Sequence, residues 1–484
     1  MKARDIRTIV AWIAAIGLAV LIVWLLMIPP VLGLADSGDF ARVMGGAGIA
    51  PLDPNETYDD RYFGFSHTYY GYGSYMLGGY FSTHVLLVAI AGWLGRIVSL
   101  DHFDMRVLGF CYAALYIWAI VRLIRYSPEL DNRKATLAVS VALAVSLVFV
   151  FGDIGYIVYF QSFFGEPYAL IATLLTVGAA LALLASDKPS GAMLAIFIGA
   201  ALALATSKIQ NAPLGFAFAL LAWRMLKLRD DRGWRKQVWT GAFILVVCSA
   251  LMIVVAPDRL KHTNLYQSIF FGVLKNSSDV ASDMKELGIP DKYAGLAGTN
   301  YFQKDTVIPQ SDPVLHREVL ERLSHKDIAL YYARHPSRFI QKLEVAARNG
   351  VYIRPLYLGN YDQSAEKPRG AVSHAFSAWS EWKVKTMPHT LGIFLMFYAF
   401  YYLALAWSWL RTASLRLRLG LETMAIIGIA GAFAVFVAII GDGEADMGKH
   451  LFMFNVCFDM MVISIVVSIA YFIMKFMFRN GRKV

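Results

Sequence analysis

Residues 1–42 read MKARDIRTIVAWIAAIGLAVLIVWLLMIPPVLGLADSGDFAR, and this stretch sets the plan of the chain. Basic residues come first, and the apolar run 9–29 then has the length of about 20 residues that crosses a bilayer. Because positive charge stays on the cytoplasmic side, the N-terminus is predicted to be cytoplasmic. No small-residue cleavage site precedes Asp36. We therefore expect a retained first span that brings Asp36 and Asp39 to the outer face.

The composition places the chain among membrane proteins. Apolar residues make up 57% of the 484 residues and charged residues only 17%, a balance that soluble domains rarely tolerate. The formal charge is +10, but the basic residues flank apolar runs, where they determine topology and suit anionic lipid headgroups. We therefore expect membrane lipids, and no nucleic acid, as partners. The three cysteines lie in apolar runs, which predicts no disulfide framework.

The apolar runs predict an all-α polytopic membrane protein with about ten transmembrane helices. The predicted crossings are 9–29, 105–124, 135–151, 168–185, 191–205, 212–225, 238–255, 389–409, 422–440 and 451–476. With these crossings the basic loops fall on one side of an inner (cytoplasmic) membrane, and both termini are cytoplasmic. The apolar run 75–100 would invert every later loop if it also crossed. It is therefore predicted to be a juxtamembrane helix buried against protein.

The crossings divide the chain into three regions. Residues 1–256 form an N-terminal transmembrane module with an outer loop at 31–104, and residues 389–484 form C-terminal transmembrane helices. Between them lies a polar stretch, 257–388, which we call the outer segment. It is predicted to be mostly helical, with helices at 279–287, 314–323 and 327–343, the last broken at Pro336.

The strongest local motif is ADSGDFAR at 35–42. Asp36 or Ser37 can cap a short helix, and Asp39 and Arg42, three residues apart, share one face of it. One interpretation is a capped interfacial helix with a salt bridge. The other is a carboxylate that deprotonates an acceptor, or a pair, Asp36 and Asp39, that holds a divalent cation such as Mg²⁺ or Mn²⁺.

A second motif, FQSFFGEP, covers 160–167. Glu166 lies at the outer start of a predicted span, where a carboxylate is often stabilised by the helix dipole. Gln161 and Glu166 nevertheless form a polar island in an aromatic setting. The functional interpretation is therefore favoured for both residues.

A third motif, TSKIQN, occupies the short outer loop 206–211. Lys208 has no acid close to it in the sequence, and Gln210 and Asn211 follow. One interpretation is a lysine that snorkels to the interface. The other is a phosphate contact, since Lys is a compact point charge suited to an anion.

The fourth motif is GDGEADMGKH at 441–450, whose acids lack the spacing of an EF-hand. Lys449 and His450 precede the last span, and Asn455 and Asp459, four residues apart, share a helix face within it. An intramembrane Asp usually faces the bundle interior. Either Asp459 pairs with a neighbouring helix, or Asn455 and Asp459 line a substrate cavity while Lys449 and His450 bind a phosphate leaving group.

Aromatic residues and glycines are concentrated over 61–81. This pattern is typical of an aromatic belt at the membrane interface. The alternative is a wall near His67 that contacts lipid or sugar.

The order of these features resembles the GT-C superfamily of membrane glycosyltransferases. The shared features are a cytoplasmic start, one span, an outer loop that opens with acids, a membrane-lying helix and a span that ends in basic residues. The stretches DMRVLGF and VRLIR, at 104–110 and 121–125, are similar to the second span of that superfamily. More narrowly, the chain resembles bacterial WsfD-like proteins of surface-glycan biosynthesis at 36–40, 163–167, 265–301 and 441–451.

The resemblance implies a hexosyl or pentosyl transferase. Its donor would be a sugar on a polyprenyl phosphate, and its acceptor a surface glycan or a lipid-linked molecule. A first-loop carboxylate would deprotonate the acceptor, and inversion at the anomeric carbon would expel the lipid phosphate, which basic residues neutralise. Some members also use a divalent metal, so metal use stays open. Asp36 and Asp39 match the first-loop acids, although two residues separate them where many members have none or one. Asp39 is favoured as the base.

These inferences together define an expected site. It comprises three candidate catalytic carboxylates, four phosphate-binding residues and six substrate-binding residues. They are Asp36, Asp39 and Glu166; Arg42, Lys208, Lys449 and His450; and His67, Gln161, Gln210, Asn211, Asn455 and Asp459.

Two other functions compete with this one. A flippase of lipid-linked sugar predicts repeated halves with polar residues near the midplane, and we detect no such repeat. An O-antigen-type polymerase or ligase would also act outside and would rely on Arg and His in a large outer loop. Arg334, His335 and Arg338 of the outer segment are the residues that fit that role.

Overall fold

The computed structural model describes residues 3–74 and 81–480, and at 3–5, 259, 479 and 480 it describes the backbone alone. Residues 75–80 of the predicted juxtamembrane helix and aromatic stretch lie outside the described part. In chain order the helices are α1 (Ala3–Leu26), α2 (Ala41–Ala47), α3 (Tyr58–Arg61), α4 (Thr83–Val98), α5 (Met105–Arg125), α6 (Arg133–Phe151), α7 (Ile154–Ile157), α8 (Glu166–Ala185), α9 (Gly191–Ala205), α10 (Leu214–Arg224), α11 (Arg232–Val254), α12 (Asp258–Tyr266), α13 (Val280–Leu287), α14 (Pro313–Leu315), α15 (His325–Arg334), α16 (Pro336–Asn349), α17 (Ala378–Lys385), α18 (Leu391–Arg411), α19 (Leu415–Asp442), α20 (Met447–His450) and α21 (Phe452–Asn480).

Shorter helical turns connect several of these helices. Five are 3₁₀ turns and two are π-helical, at Val158–Phe160, Ile209–Asn211, Met225–Leu228, Asp291–Leu296 and Gln363–Ala365, and at Gln267–Val273 and His316–Leu320.

Eight helices of the described chain are long and apolar enough to cross a membrane: α1, α5, α6, α8, α11, α18, α19 and α21. They match eight of the ten predicted crossings, so the protein is a mostly helical, multi-pass membrane protein. The other two predicted crossings are shorter helices, α9 with 15 residues and α10 with 11. The total of ten crossings therefore stays a prediction. The helix α4, within the predicted juxtamembrane run, has 16 residues.

Side-chain caps begin several of these helices where the sequence places a short polar residue. Asn132 accepts hydrogen bonds from the backbone N–H groups of Lys134 and Ala135 at the start of α6. Ser190 and Asp231 cap α9 and α11 in the same way. Such a cap satisfies N–H groups that have no partner within the helix, and it is worth about 1 kcal/mol.

The bundle is organised around α8, which is the most deeply buried of the eight candidate spans. It packs against α5 and α9, while α1 packs against α5 and α6, and α19 against α21. The outer loop 31–104 contains a small antiparallel sheet, which the sequence did not predict. Its last strand leads directly into α5. Its strands are β1 (Ile49–Ala50), β2 (Tyr69–Tyr72) and β3 (Phe103–Asp104), in the order β1-β2-β3.

The outer segment is mostly helical, as predicted, and Pro336 does divide two helices, α15 and α16. It does not have a hydrophobic core of its own. Most of its buried residues cluster with residues of α18, α19 and α21, such as Phe394, Ile439 and Phe458. Ile353, Leu358 and Trp379 belong instead to the main core of the bundle. It also contacts the outer loop through its backbone, where Gly33 and Ala35 donate hydrogen bonds to the carbonyls of Asn360 and Gly359, each at 3.0 Å. The outer segment is therefore held against the end of the bundle at which these loops emerge.

Candidate functional site

Charged and amide side chains from four distant parts of the chain meet at one end of the bundle. They follow the ends of α1, α9 and α19 and lie near the starts of α8 and α21. We call them the polar cluster: Asp36, Asp39, Arg42, Glu166, Lys208, Gln210, Asp442, Asp446, Lys449 and His450. All ten come from the four motifs that the sequence analysis singled out, so the tertiary fold brings those motifs together.

Lys449 is the centre of this cluster. Its buried ammonium group forms an ion pair with Asp39 and another with Asp446 at 2.5 Å, and it donates a hydrogen bond to Ser37 Oγ at 3.2 Å. Asp39 also pairs with Arg42 at 3.0 Å, as one of the two interpretations of this motif expected. The expected side-chain cap is absent, because α2 begins at Ala41 after Phe40 and neither Asp36 nor Ser37 caps it. Lys449 thus links the first outer loop to the loop before α21, more than 400 residues along the chain.

The environment of Asp39 holds it as a carboxylate. Burial acts against its ionisation, but the positive charges of Lys449, Arg42 and Lys208 together lower its pKa well below the usual range. Its side chain keeps 27% of its surface exposed, so a substrate can reach it. A carboxylate paired with two cations is a weak base, and it becomes a stronger one when a competing anion draws a cation away.

Asp36 lies in the opposite situation. Its Oδ1 atom accepts hydrogen bonds from the backbone N–H groups of Gly38 and Phe40, at 2.7 and 3.1 Å. Burial outweighs these bonds and raises the pKa of Asp36 to about 7. The two hydrogen bonds to Asp36 hold the turn that carries Asp39. Because its pKa is raised, Asp36 is protonated at a pH where Asp39 is ionised.

The raised pKa of Asp36 predicts a pH dependence of stability. The folded state keeps the proton up to a pH of about 7, whereas the unfolded chain releases it near the ordinary value of 3.8. Asp36 should therefore make the protein less stable as pH rises between these values, by up to about 1.4 kcal/mol per pH unit. Melting temperatures measured in detergent from pH 4 to 7 should fall more steeply for wild type than for Asp36→Asn. Parallel curves would contradict this prediction.

Glu166 and Lys208 form an ion pair that the sequence did not reveal. Lys208 has no acid close to it in the sequence, but in the fold the Oε1 atom of Glu166, which is 42 residues away in the chain, contacts its ammonium group. The fold brings the start of α8 beside the loop that follows α9. The second carboxylate oxygen, Glu166 Oε2, is buried and has no hydrogen-bond partner within the described residues.

His450 continues the cluster on its other side. Its Nε2 atom pairs with Asp442 Oδ2 at 2.5 Å, and Gln210 Nε2 lies 3.1 Å from its Nδ1 atom. Although burial opposes protonation, the Asp442 carboxylate raises the pKa of His450. Asp442 Oδ1 is a second buried acceptor without a partner in the described chain. The cluster thus presents cationic groups and free carboxylate oxygens side by side.

Asn455 and Asp459, predicted to line a substrate cavity, lie instead in a buried network with the outer segment. Lys383 of α17 donates to Asp459 Oδ1 at 2.9 Å and to Asn455 Oδ1 at 2.5 Å. Tyr156 and Trp379 donate to Asp459 Oδ2 at 2.6 and 2.8 Å. The Asp459 side chain is 0% exposed. Its oxygens are occupied by these three donors, so the structure assigns it a structural role.

Three further predicted substrate contacts are also engaged elsewhere. Gln161 is buried and donates to the carbonyl of Leu26 at 2.7 Å. Asn211 is buried and donates to Ser207 Oγ at 2.9 Å. His67 lies 2.6 Å from Glu56, within the outer loop. These contacts hold the loops that carry the polar cluster.

The donor set of the cluster does not suit a divalent cation. The Asp39 carboxylate is paired with Lys449 and Arg42, and Asp36 Oδ1 accepts two backbone hydrogen bonds. Within 3–74 and 81–480, no group of three or more His, Cys, Asp or Glu side chains converges on one point. The proposed reaction below is therefore written without a divalent metal ion.

Several residues of these networks were missing from the expected site, among them Asp442, which pairs with His450. Asp446 was passed over although it lies in the fourth motif, and Tyr357, whose hydroxyl contacts Asp446, comes from the outer segment. Lys383 also comes from that segment. The position of Asp459 in a predicted span suggested, as one interpretation, a partner on a neighbouring helix, but the sequence could not say which residue that partner is.

The fold and the cluster define a multi-pass membrane protein with a concentrated polar site at one end of its bundle. The chain belongs to the family of the YfdI N-terminal transmembrane domain, which matches residues 1–483. Comparison with curated proteins and with solved structures gave no match.

Proposed function

We propose that the protein is a membrane glycosyltransferase of the GT-C type, which transfers a sugar from a polyprenyl phosphate to a surface glycan or lipid-linked acceptor on the outer face. The observation that carries the proposal is the polar cluster, which combines a reachable carboxylate, Asp39, with four cationic groups at one end of the bundle. The positive charge of the loops predicts that this end lies on the non-cytoplasmic side of the inner membrane.

The proposed reaction is a single inverting displacement. The acceptor hydroxyl oxygen forms a bond to the anomeric carbon, while the bond from that carbon to the phosphate oxygen breaks. The electron pair leaves with polyprenyl phosphate, and the hydroxyl proton passes to Asp39. Lys449, Lys208, His450 and Arg42 balance the charge of the leaving phosphate, which is the type of effect that contributes most to such reactions.

Donor binding would also activate the base. In the structure, Lys449 pairs with Asp39 and Asp446. A donor phosphate competes for Lys449 and thereby weakens its pair with Asp39. The pKa of Asp39 then rises toward the range of an effective general base. Asp39 is consequently a weak base until the donor is bound.

The contacts of the deep residues favour this proposal over a flippase. A flippase requires polar groups free to contact cargo near the midplane. The deep residues Asn455 and Asp459 are instead buried and bonded to Lys383. The residues suggested for a polymerase lie outside the polar cluster: Arg334 and His335 pair with Glu286, and Arg338 donates to the carbonyl of Val273 at 3.0 Å.

The test is sugar release and transfer from a synthetic polyprenyl-phosphate hexose by the purified protein in detergent, with and without EDTA. We expect turnover by wild type and a loss of about 10²–10⁴-fold in Asp39→Asn, because the variant cannot take the proton. Asp101→Asn is the matched control, since Asp101 is an exposed acid of the same outer loop. Turnover that persists in EDTA agrees with a reaction that needs no divalent metal ion.

Two outcomes would contradict the proposal. If wild type consumes no polyprenyl-phosphate hexose, the donor class is wrong. If Asp39→Asn is as active as Asp101→Asn, Asp39 is not the base. Donor hydrolysis that survives Asp39→Asn but is lost in Arg338→Ala would favour the polymerase or ligase.

A further inference from the structure

Four aromatic rings form a continuous surface beside the polar cluster. We call it the aromatic wall: Tyr58, Tyr62, Phe63 and Tyr357. The ring centroids of Tyr58 and Tyr62 are 5.0 Å apart, and those of Phe63 and Tyr357 are 6.2 Å apart. Tyr58 is 57% exposed and Tyr357 is 47% exposed. Large aromatic side chains that remain this exposed in a group mark a binding surface.

The wall is joined directly to the candidate site. The Tyr357 hydroxyl donates to Asp446, and Asp446 pairs with Lys449 at 2.5 Å. Lys449 in turn contacts Asp39. A molecule lying on the wall would therefore extend to within reach of the proposed base.

The backbone fixes the wall in place. Phe63 has a φ of 65°, a left-handed conformation that bulky residues rarely adopt. Its N–H donates to the carbonyl of Asp36, and its carbonyl accepts from the N–H of Gly359, both at 2.9 Å. The loop of Asp36 and the outer segment thus hold Phe63 from both sides. Asp446 also has a positive φ, of 44°. Strained residues of this kind cluster at ligand sites.

Polar side chains of both signs border the rings. Gln363 donates to Asp60 at 3.1 Å, and Arg369 lies 3.7 Å from Asp59. The ammonium group of Lys304 lies 5.2 Å from the centroid of the Tyr58 ring. Amide, carboxylate and guanidinium groups are the partners that sugar hydroxyls use.

We propose that the aromatic wall binds the acceptor and that the acceptor is a carbohydrate chain. The C–H groups on one face of a sugar ring carry partial positive charge and pack on the negative face of an aromatic ring. The hydroxyls at the edge of the sugar then bond to the polar border. This inference rests on the proposed function, because the wall would hold the acceptor hydroxyl toward Asp39.

The test measures oligosaccharide binding without any donor. Saturation-transfer-difference NMR is recorded on the full-length protein in detergent with neutral di- to hexasaccharides of glucose, galactose, mannose and rhamnose. We expect saturation of sugar protons by wild type with at least one member. Removing one ring, in Tyr58→Ala or Tyr357→Ala, should weaken that binding by about three- to tenfold. Tyr357→Phe keeps the ring and should retain binding.

The control variant is Tyr69→Ala, which removes an exposed tyrosine of the same outer loop that is outside the wall. Size-exclusion profiles identify any variant that fails to fold. If Tyr58→Ala fails to fold, sugar binding by Tyr58→Phe is compared with wild type, which shows whether the ring without its hydroxyl is sufficient for binding. No saturation of any sugar by wild type would overturn the proposal, as would equal binding by wild type and Tyr58→Ala. This experiment contains no donor, so its outcome does not depend on the transfer reaction. If the protein binds sugar here but shows no turnover of the donor in the transfer assay, the aromatic wall is supported and the proposed function is contradicted.

Discussion

Replacing Lys383 by methionine should destabilise the protein by about 3–5 kcal/mol, the largest effect on stability that we expect from a single substitution. The side chains of Lys383 and Asp459 are 1% and 0% exposed, and their pair joins α17 to the last span. The variant leaves the Asp459 carboxylate buried without a compensating charge. Tyr156 and Trp379 still donate to it, but they carry no charge. The measurement is unfolding in SDS–detergent mixtures, compared with wild type.

The control for this prediction is Lys385→Met, two residues further along the same helix. The Lys385 side chain is 70% exposed and pairs with Glu381, and exposed pairs contribute about 0–1 kcal/mol. The double variant Lys383→Met/Asp459→Asn should recover part of the loss, because the amide carries no charge. If Lys383→Met and Lys385→Met unfold at the same SDS fraction, the buried pair does not hold the two regions together.

The second large effect is expected on activity. Lys449→Met should lower sugar transfer by about 10²–10³-fold, the usual cost of removing one group that stabilises developing negative charge. Lys449 is the cation closest to Asp39 and the residue that joins the first outer loop to the loop before α21. Rates are measured with polyprenyl-phosphate hexose, and kcat and KM are determined separately.

The pattern of kcat and KM separates a chemical role from a structural one. If Lys449 acts on the leaving phosphate, Lys449→Arg should restore part of kcat, because it restores the charge. Lys261→Met removes a lysine of the outer segment that forms an exposed pair with Asp258, and it should behave as wild type. Transfer by Lys449→Met at the wild-type rate would exclude Lys449 from the reaction.

The sequence predicted the membrane architecture well because its physical cause is local. A run of about 20 apolar residues favours a helix in lipid whatever the rest of the chain does. Eight predicted crossings are accordingly long apolar helices. Residues close together in the sequence also account for the break at Pro336 and the pair between Asp39 and Arg42. The two shortest predicted crossings, 191–205 and 212–225, correspond to helices whose length alone does not settle whether they cross.

The polar cluster was predictable in its members but not in its pairing. Each motif stood out because charge at the end of an apolar run is unusual. Which charge meets which depends on how the helices pack, and nearest neighbours in the sequence do not determine this. Lys208 therefore seemed unpaired until the fold placed Glu166 beside it. The role of Asp459 changed for the same reason, because its partner Lys383 lies in a different region.

By itself, then, the sequence determined a multi-pass helical membrane protein and the four motifs that carry its unusual charges, because hydrophobic length and charge placement act within about 20 residues. The tertiary structure decided that these motifs share one site, that the pKa of Asp39 is lowered while that of Asp36 is raised, and that aromatic rings from two regions form one surface. Those properties depend on distances and burial between residues that are far apart in the chain. They exist only when the helices are packed.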